Sequence, residues 1–280
     1  MGGLSRHCTW AAAGFFAVVA AAAVTGCGGT SSPGSTRTAP PTTSPAPPPP
    51  APPPATLPPA APPPPLSPPP PVPAGEIPTR LATSRRVVAL TFDAGAGAGG
   101  VPKILATLQD TGVTATFFMT GRFAEVFPEL ARRIAAHYPI ANHTFDHRDL
   151  LELSPAEVRA EIVTASSAIA RVVGEPPIRL FRFPYGSGNS ETLRIVNELG
   201  YTAIGWTVDT LGWEGRIGGQ SVQSVVDHTL SELQPGEIVL MHVGATPADG
   251  TTLDADALRT IIDRIQARGY GFVTLKELLG

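Results

Sequence analysis

The sequence predicts an α/β domain over residues 80–280, a parallel sheet of about seven strands closing into an incomplete or distorted (β/α) barrel. Three observations carry that expectation. From Arg85 onward, short apolar runs alternate with segments of helical spacing, and repeated β–α units imply parallel strands joined by right-handed crossovers. The apolar runs are near-continuous, as in strands covered on both faces. Several of them end in an acid, a histidine or an arginine, at the strand ends where such folds keep their chemistry.

The chain before this domain cannot join a sheet. Residues 1–26 read as an export signal: Arg6 in a thin positive region, then a small-residue apolar run over 11–24 that is short for a membrane span. The run closes on Val24-Thr25-Gly26-Cys27, which resembles a bacterial lipobox, with Cys27 as the lipidated residue. An ordinary signal peptide is the alternative. Residues 27–79 turn Gly/Ser/Thr- and then Pro/Ala-rich. Proline fixes φ and offers no amide donor, so this segment favours extended polyproline II or disorder. Roughly 45 such residues reach on the order of 140 Å at about 3.1 Å each, enough for a wall-spanning tether.

The 280 residues carry a formal net charge of -3 with no long charge run, which excludes nucleic acid as a partner class. The two cysteines are Cys8 and Cys27. The globular part therefore has no disulfide and stands on its core alone; a monomer is expected.

Within the domain, strands are expected over 87–92, 114–119, 139–142, 178–181, 201–208, 237–241 and 270–274. Helices are expected over 101–110, with Pro102 in the first turn, and over 123–136, where Phe123, Val126, Phe127, Leu130 and Ile134 recur at helical spacing. A further helix follows Ser154-Pro155-Ala156-Glu157, a cap, an N1 proline and an N3 glutamate, and stops at Gly174. The last three run over 190–199, 221–233 and 254–267, the third closed by Gly269.

Five strand ends carry reactive groups. The first ends in Asp93 before a glycine run, placed either for chemistry or as a helix cap. After the third come His143 and His147, four apart and expected on one face of a helical turn, close enough to share a metal or to lie on the surface. After the fourth comes Arg182, which when buried requires an anion such as Asp93. The fifth ends in Trp206, Asp209 and Trp213, a sugar-stacking wall or a core corner. The sixth ends in His242.

These residues fall into motifs. Thr91-Phe92-Asp93-Ala94-Gly95, His143-Thr144-Phe145-Asp146-His147, Arg182-Phe183-Pro184-Tyr185, the stretch from Trp206 to Trp213, and Leu240-Met241-His242 resemble, in order, the five motifs of the NodB-type polysaccharide deacetylases, carbohydrate esterase family four. The resemblance implies a distorted (β/α) barrel and metal-dependent removal of acetyl groups from a glycan. It implies Asp93 as general base, His143 and His147 as ligands of a divalent metal, usually zinc, and Arg182 as the partner of Asp93. Tyr185 stands where a backbone amide helps bind the oxyanion, and His242 is the acid for the leaving amine. Pro184, Trp206, Asp209 and Trp213 would line the substrate.

Two positions depart from the pattern. Ala94 stands where the family has a metal-ligating aspartate, leaving two protein ligands where a catalytic zinc takes three; Asp146 or Asp149 could substitute. Gly212 stands where an acid precedes the second tryptophan and tunes the catalytic histidine, a task Asp209 could assume. The leading expectation is a lipid-anchored, extracytoplasmic glycan deacetylase acting on peptidoglycan. The alternatives are a non-catalytic glycan-binding protein on the same scaffold and a metal-dependent esterase or amidase on another acetylated substrate.

Overall fold

The computed structural model describes residues 77–95 and 97–276; the signal, Cys27 and the tether lie outside them. Strands β1 (Val87–Ala94), β2 (Thr116–Met119), β3 (Ile140–Asn142), β4 (Ile178–Phe181), β5 (Thr202–Ala203), β6 (Val208–Asp209), β7 (Glu237–His242) and β8 (Gly271–Phe272) form one sheet. Its order is β5-β4-β3-β2-β1-β7-β6, with β8 also on β1. Every strand pairing is parallel, as the β–α alternation predicts.

The expected fifth strand over 201–208 is two strands on opposite edges of the sheet. β5 pairs with β4, while β6 pairs with β7. Four residues lie between Ala203 and Val208, and the five steps they make can span at most about 18 Å. Seven flat strands at about 4.8 Å spacing would hold their edges about 29 Å apart, so the sheet must curl until the edges nearly meet. The seam is closed without strand pairing: Ile204 N–H donates to Phe181 O (2.8 Å), Gly205 N–H to Pro78 O (2.8 Å) and Thr207 N–H to Ile238 O (2.8 Å). That is the distortion of the barrel.

Helices α1 (Val101–Thr111), α2 (Gly121–Val126), α3 (Pro128–Ala135), α4 (Pro155–Val173), α5 (Ser190–Glu198), α6 (Val222–Ser231) and α7 (Leu253–Ala267) form the outer layer. The helix expected over 123–136 breaks in two at Phe127, because the following proline removes an amide donor and disfavours helical backbone before it. The start of α4 is the expected capping box, Ser154 with Glu157, and Gly174 ends it in left-handed conformation.

Candidate active site

Period-two alternation decides which side chains reach the barrel mouth. On β1, Val88, Leu90, Phe92 and Ala94 pack outward in the core beneath the helices, while Val87 and Ala89 face the barrel interior. Thr91 and Asp93 continue the inner row. The same parity runs from Ala141 to His143, from Leu180 to Arg182 and from Ile238 to His242. Four elements thus deliver their polar residues to one mouth, and Asp93 lies beside His242 in the β1–β7 register.

Arg182 is fully buried and organises one side of this mouth. Its Nη1 donates to Asp93 Oδ1 (2.7 Å) and to Thr91 Oγ1 (2.9 Å), and its Nη2 to Gly205 O (3.1 Å). The Thr91 hydroxyl in turn donates a hydrogen bond to Val239 O (2.6 Å). The guanidinium lies 4.0 Å from the Phe118 ring centroid and 5.6 Å from that of Trp206. Burial alone would raise the Asp93 pKa, but Arg182 and the neighbouring histidines outweigh it and hold the carboxylate ionised, below its usual range.

His143 Nδ1 lies 2.9 Å from Arg182 O. A carbonyl only accepts, so the proton sits on Nδ1 and the Nε2 lone pair is left free. That Nε2 is buried without a hydrogen-bond partner and stands 3.4 Å from Asp93 Oδ2. The His147 ring lies 4.8 Å from that of His143, centroid to centroid. Burial lowers the pKa of both, that of His147 to about 3, so both imidazoles are neutral donors at neutral pH.

The two histidines do not share a helical turn. They sit in an irregular loop with Thr144 at φ 66 and His147 at φ 60. The loop is fixed by Thr144 N–H to Asn142 Oδ1 (2.9 Å), His147 N–H to Thr144 Oγ1 (3.1 Å), and Phe145 and Asp146 N–H to Glu161 Oε2 (3.0 and 2.9 Å). Tyr185 (φ 58) and Leu211 (φ 59) are also left-handed. All four non-glycine residues with positive φ among the described residues follow strand ends at this mouth, and such strain collects at functional sites.

The donor set fits a divalent cation at two positions, the free Nε2 of His143 and the ring of His147. Asp146 and Asp149 do not supply a third. Asp146 pairs with Arg122, and Asp149 accepts from Leu151 N–H (3.0 Å). Among the described residues no group of three His, Cys, Asp or Glu is arranged to hold a metal.

Beside the histidine pair the Tyr185 ring, 58% exposed, packs 4.7 Å from that of His147, centroid to centroid, and on the opposite side Trp213 is 41% exposed. Trp206 is half-buried against the barrel interior and Pro184 is buried, which suits them to holding the site rather than touching a substrate. Asp209 accepts from Leu211 N–H (2.9 Å) and from Trp213 Nε1 (3.2 Å). The acid set against His242 is Asp254 from α7, with Oδ2 3.7 Å from Nδ1 and accepting the His242 backbone N–H at 2.8 Å. Sequence reasoning missed it. Its signal was an acid in register with the apolar stripe of Leu258, Ile261 and Ile265, a place where a charge has no reason to be unless it is paired.

Comparison with known proteins gives the same lineage. The polysaccharide deacetylase family model matches residues 80–204. A chitooligosaccharide deacetylase of Bradyrhizobium sp. (strain ANU 289) is 37% identical over 202 residues, 69% of this chain and 90% of that protein. A peptidoglycan-N-acetylglucosamine deacetylase of Bacillus cereus is 35% identical over 192 residues, 68% of this chain and 67% of that protein. The structure of a CE4 family pseudoenzyme from Bacillus anthracis superposes with a TM-score of 0.65 at 28% identity, covering 72% of this chain and 68% of that one; a mutant of it has restored enzymatic activity. With the curled parallel barrel and the five strand-end motifs meeting at one mouth, the chain belongs to the polysaccharide deacetylase family, the NodB-type carbohydrate esterases of family four.

Proposed function

We propose that this chain is a metal-dependent deacetylase of an N-acetylated cell-envelope glycan, with peptidoglycan as its first candidate substrate. The observation that carries the reading is the Arg182–Asp93 pair buried beside the free Nε2 of His143, in a mouth whose other wall holds His242. The relatives' names, chitooligosaccharide and peptidoglycan deacetylases, support the substrate class.

His143 and His147 would hold the metal, zinc first. A divalent cation there supplies Lewis-acid polarisation of an acyl carbonyl and makes a water more acidic. The chain's own groups do the rest. Arg182 occupies Asp93 Oδ1, so Oδ2 is the oxygen left to take a proton from the attacking water. His242, its pKa raised by the surrounding carboxylates, donates a proton to the departing sugar amine as the amide C–N bond breaks. The turn at Tyr185 faces the developing oxyanion. Trp213 and Tyr185 present apolar faces to the sugar rings. The Cys27 lipid anchor and the proline-rich tether belong to the same proposal: they place the domain outside the membrane, within reach of the wall.

Metal content of the chain, with acetate release from acetylated chitooligosaccharide and from peptidoglycan before and after chelation, tests this. Bound metal with chelator-sensitive acetate release is expected. Ala94 favours a second reading, a glycan-binding protein that has lost catalysis, as the similarity to a pseudoenzyme suggests. Glycan binding that ignores chelators and survives Asp93→Asn would establish it in place of the first. Faster turnover of a simple acetyl ester than of any glycan would point to an esterase.

A further inference from the structure

We infer that Asp254 is the positioning residue of His242, and that it performs from α7 the task that the family pattern gives to an acid at position 212. This rests on the reading of His242 as the acid of the reaction. A Cβ built on Gly212 would meet Asp254 Oδ1 at 2.3 Å, Cγ at 2.6 Å and Oδ2 at 3.0 Å, so the Asp254 carboxylate occupies the space a side chain at 212 would enter. Gly212 is not among the residues with positive φ, so no backbone requirement calls for glycine. The three atoms nearest such a Cβ all belong to the Asp254 carboxylate. Two positions compete for one carboxylate site.

Asp254 is built to be fixed there. It is 3% exposed. Oδ1 accepts from Thr210 Oγ1 (2.6 Å), and Oδ2 accepts the His242 backbone N–H (2.8 Å) while lying 3.7 Å from Nδ1. That Nδ1 is buried and has no other partner. The groups facing His242 are Asp93 on β1, Asp209 on β6, Asp254 on α7, the Trp213 ring at 6.4 Å, and, at longer range, His143 and His147. Burial pulls the His242 pKa down, and the three carboxylates outweigh it; the contact with Asp254 is the largest of their contributions.

The test is the titration of the His242 imidazole by NMR in the chelated full-length chain, with the pH profile of acetate release beside it. In the wild type, His242 titrates above the ordinary histidine value. In Asp254→Asn, similar in volume, its pKa falls by about one unit or more, and the alkaline limb of the profile moves with it. In the double variant Gly212→Asp/Asp254→Ala, the carboxylate returns from the other position and both readouts recover. A folded Asp254→Asn with an unmoved His242, or a folded double variant that restores neither readout, overturns the inference. If Asp254→Asn does not fold, the double variant decides alone. The titration requires no substrate, so a chain that releases no acetate but shows the shift and its recovery refutes the proposed function and keeps this inference.

Discussion

The barrel mouth has two sides, and each lacks one acid of the family pattern. On the side of β6, β7 and α7, the acid missing at Gly212 is matched by Asp254, whose carboxylate fills the space a side chain at 212 would take. On the side of β1, β3 and β4, the acid missing at Ala94 has no such match. Asp146 and Asp149 have other partners, and Ala94 is buried in the outer core. The difference lies in what stands nearby. The first turn of α7 ends against His242, so one substitution there re-supplies the charge. The elements around the histidine pair already use their acids, Glu161 on two loop amides and Asp93 on Arg182. A site can exchange an acid between two positions that share one space; without a second position it must work with fewer ligands.

The largest effects should fall on the unmatched side. Asp93→Asn removes the proton acceptor and should lower acetate release by about 10²–10⁴-fold. It also leaves Arg182 buried beside a neutral group, which should cost about 3–5 kcal/mol in urea unfolding. Full activity in that variant would end the case for Asp93 as the base. His143→Ala and His147→Ala should each abolish metal uptake while far-UV circular dichroism is unchanged; full occupancy in either would break the ligand assignment.

Ala94→Asp asks whether the loss can be reversed. The backbone just past Ala94 runs beside His147, a Cβ on Gly95 lying 3.9 Å from His147 Cδ2. The Ala94 side chain itself faces the outer core, so an Asp there becomes a third donor only by turning toward His147, and it should then tighten metal binding by at least about tenfold. Unchanged affinity with a less stable fold would assign position 94 to the core alone and sharpen the contrast with position 212.

On the matched side the effects are smaller. Gly212→Ala drives its methyl against the Asp254 carboxylate and should cost about 1–3 kcal/mol. In an Asp254→Ala background that cost should vanish, a coupling read from a double-mutant cycle. Additive penalties would mean that the two positions do not share space.

The two sides also differ in how far the sequence reveals them. Asp93, His143 and Arg182 each stand at the C-terminal end of an apolar run in a parallel sheet, so their convergence was legible before any coordinates, whereas near-continuous runs did not reveal which row faces the barrel interior. The split of 201–208 was not, because one apolar run cannot show that its halves serve opposite edges of a curled sheet. The loop carrying the histidine pair was misread as helical because i, i+4 spacing is equally available to a loop with two left-handed residues. Asp254 lies outside every motif, and its place beside His242 depends on how the connection after β7 returns the first turn of α7 to the mouth.

The smallest effect is a slope in stability against pH, and β7 carries both of its sources. At its end, His242 has a raised folded pKa, so its contribution is fully present below the unfolded value of about 6.5 and is lost as pH rises through the folded one. At its start, burial pushes the Glu237 carboxyl up to about 7, with one oxygen lacking a hydrogen-bond partner. The unfolded chain releases that proton from about pH 4.5 upward while the folded one keeps it, so stability falls between there and about 7. Both slopes run downward with rising pH, each at most about 1.4 kcal/mol per unit, but in successive windows. Glu237→Gln should flatten the lower window and leave the upper; Asp254→Asn should flatten the upper and leave the lower. An upper window that survives Asp254→Asn would mean that the charge supporting His242 comes from Asp93 and Asp209 instead, and the two sides of the mouth would then share Asp93.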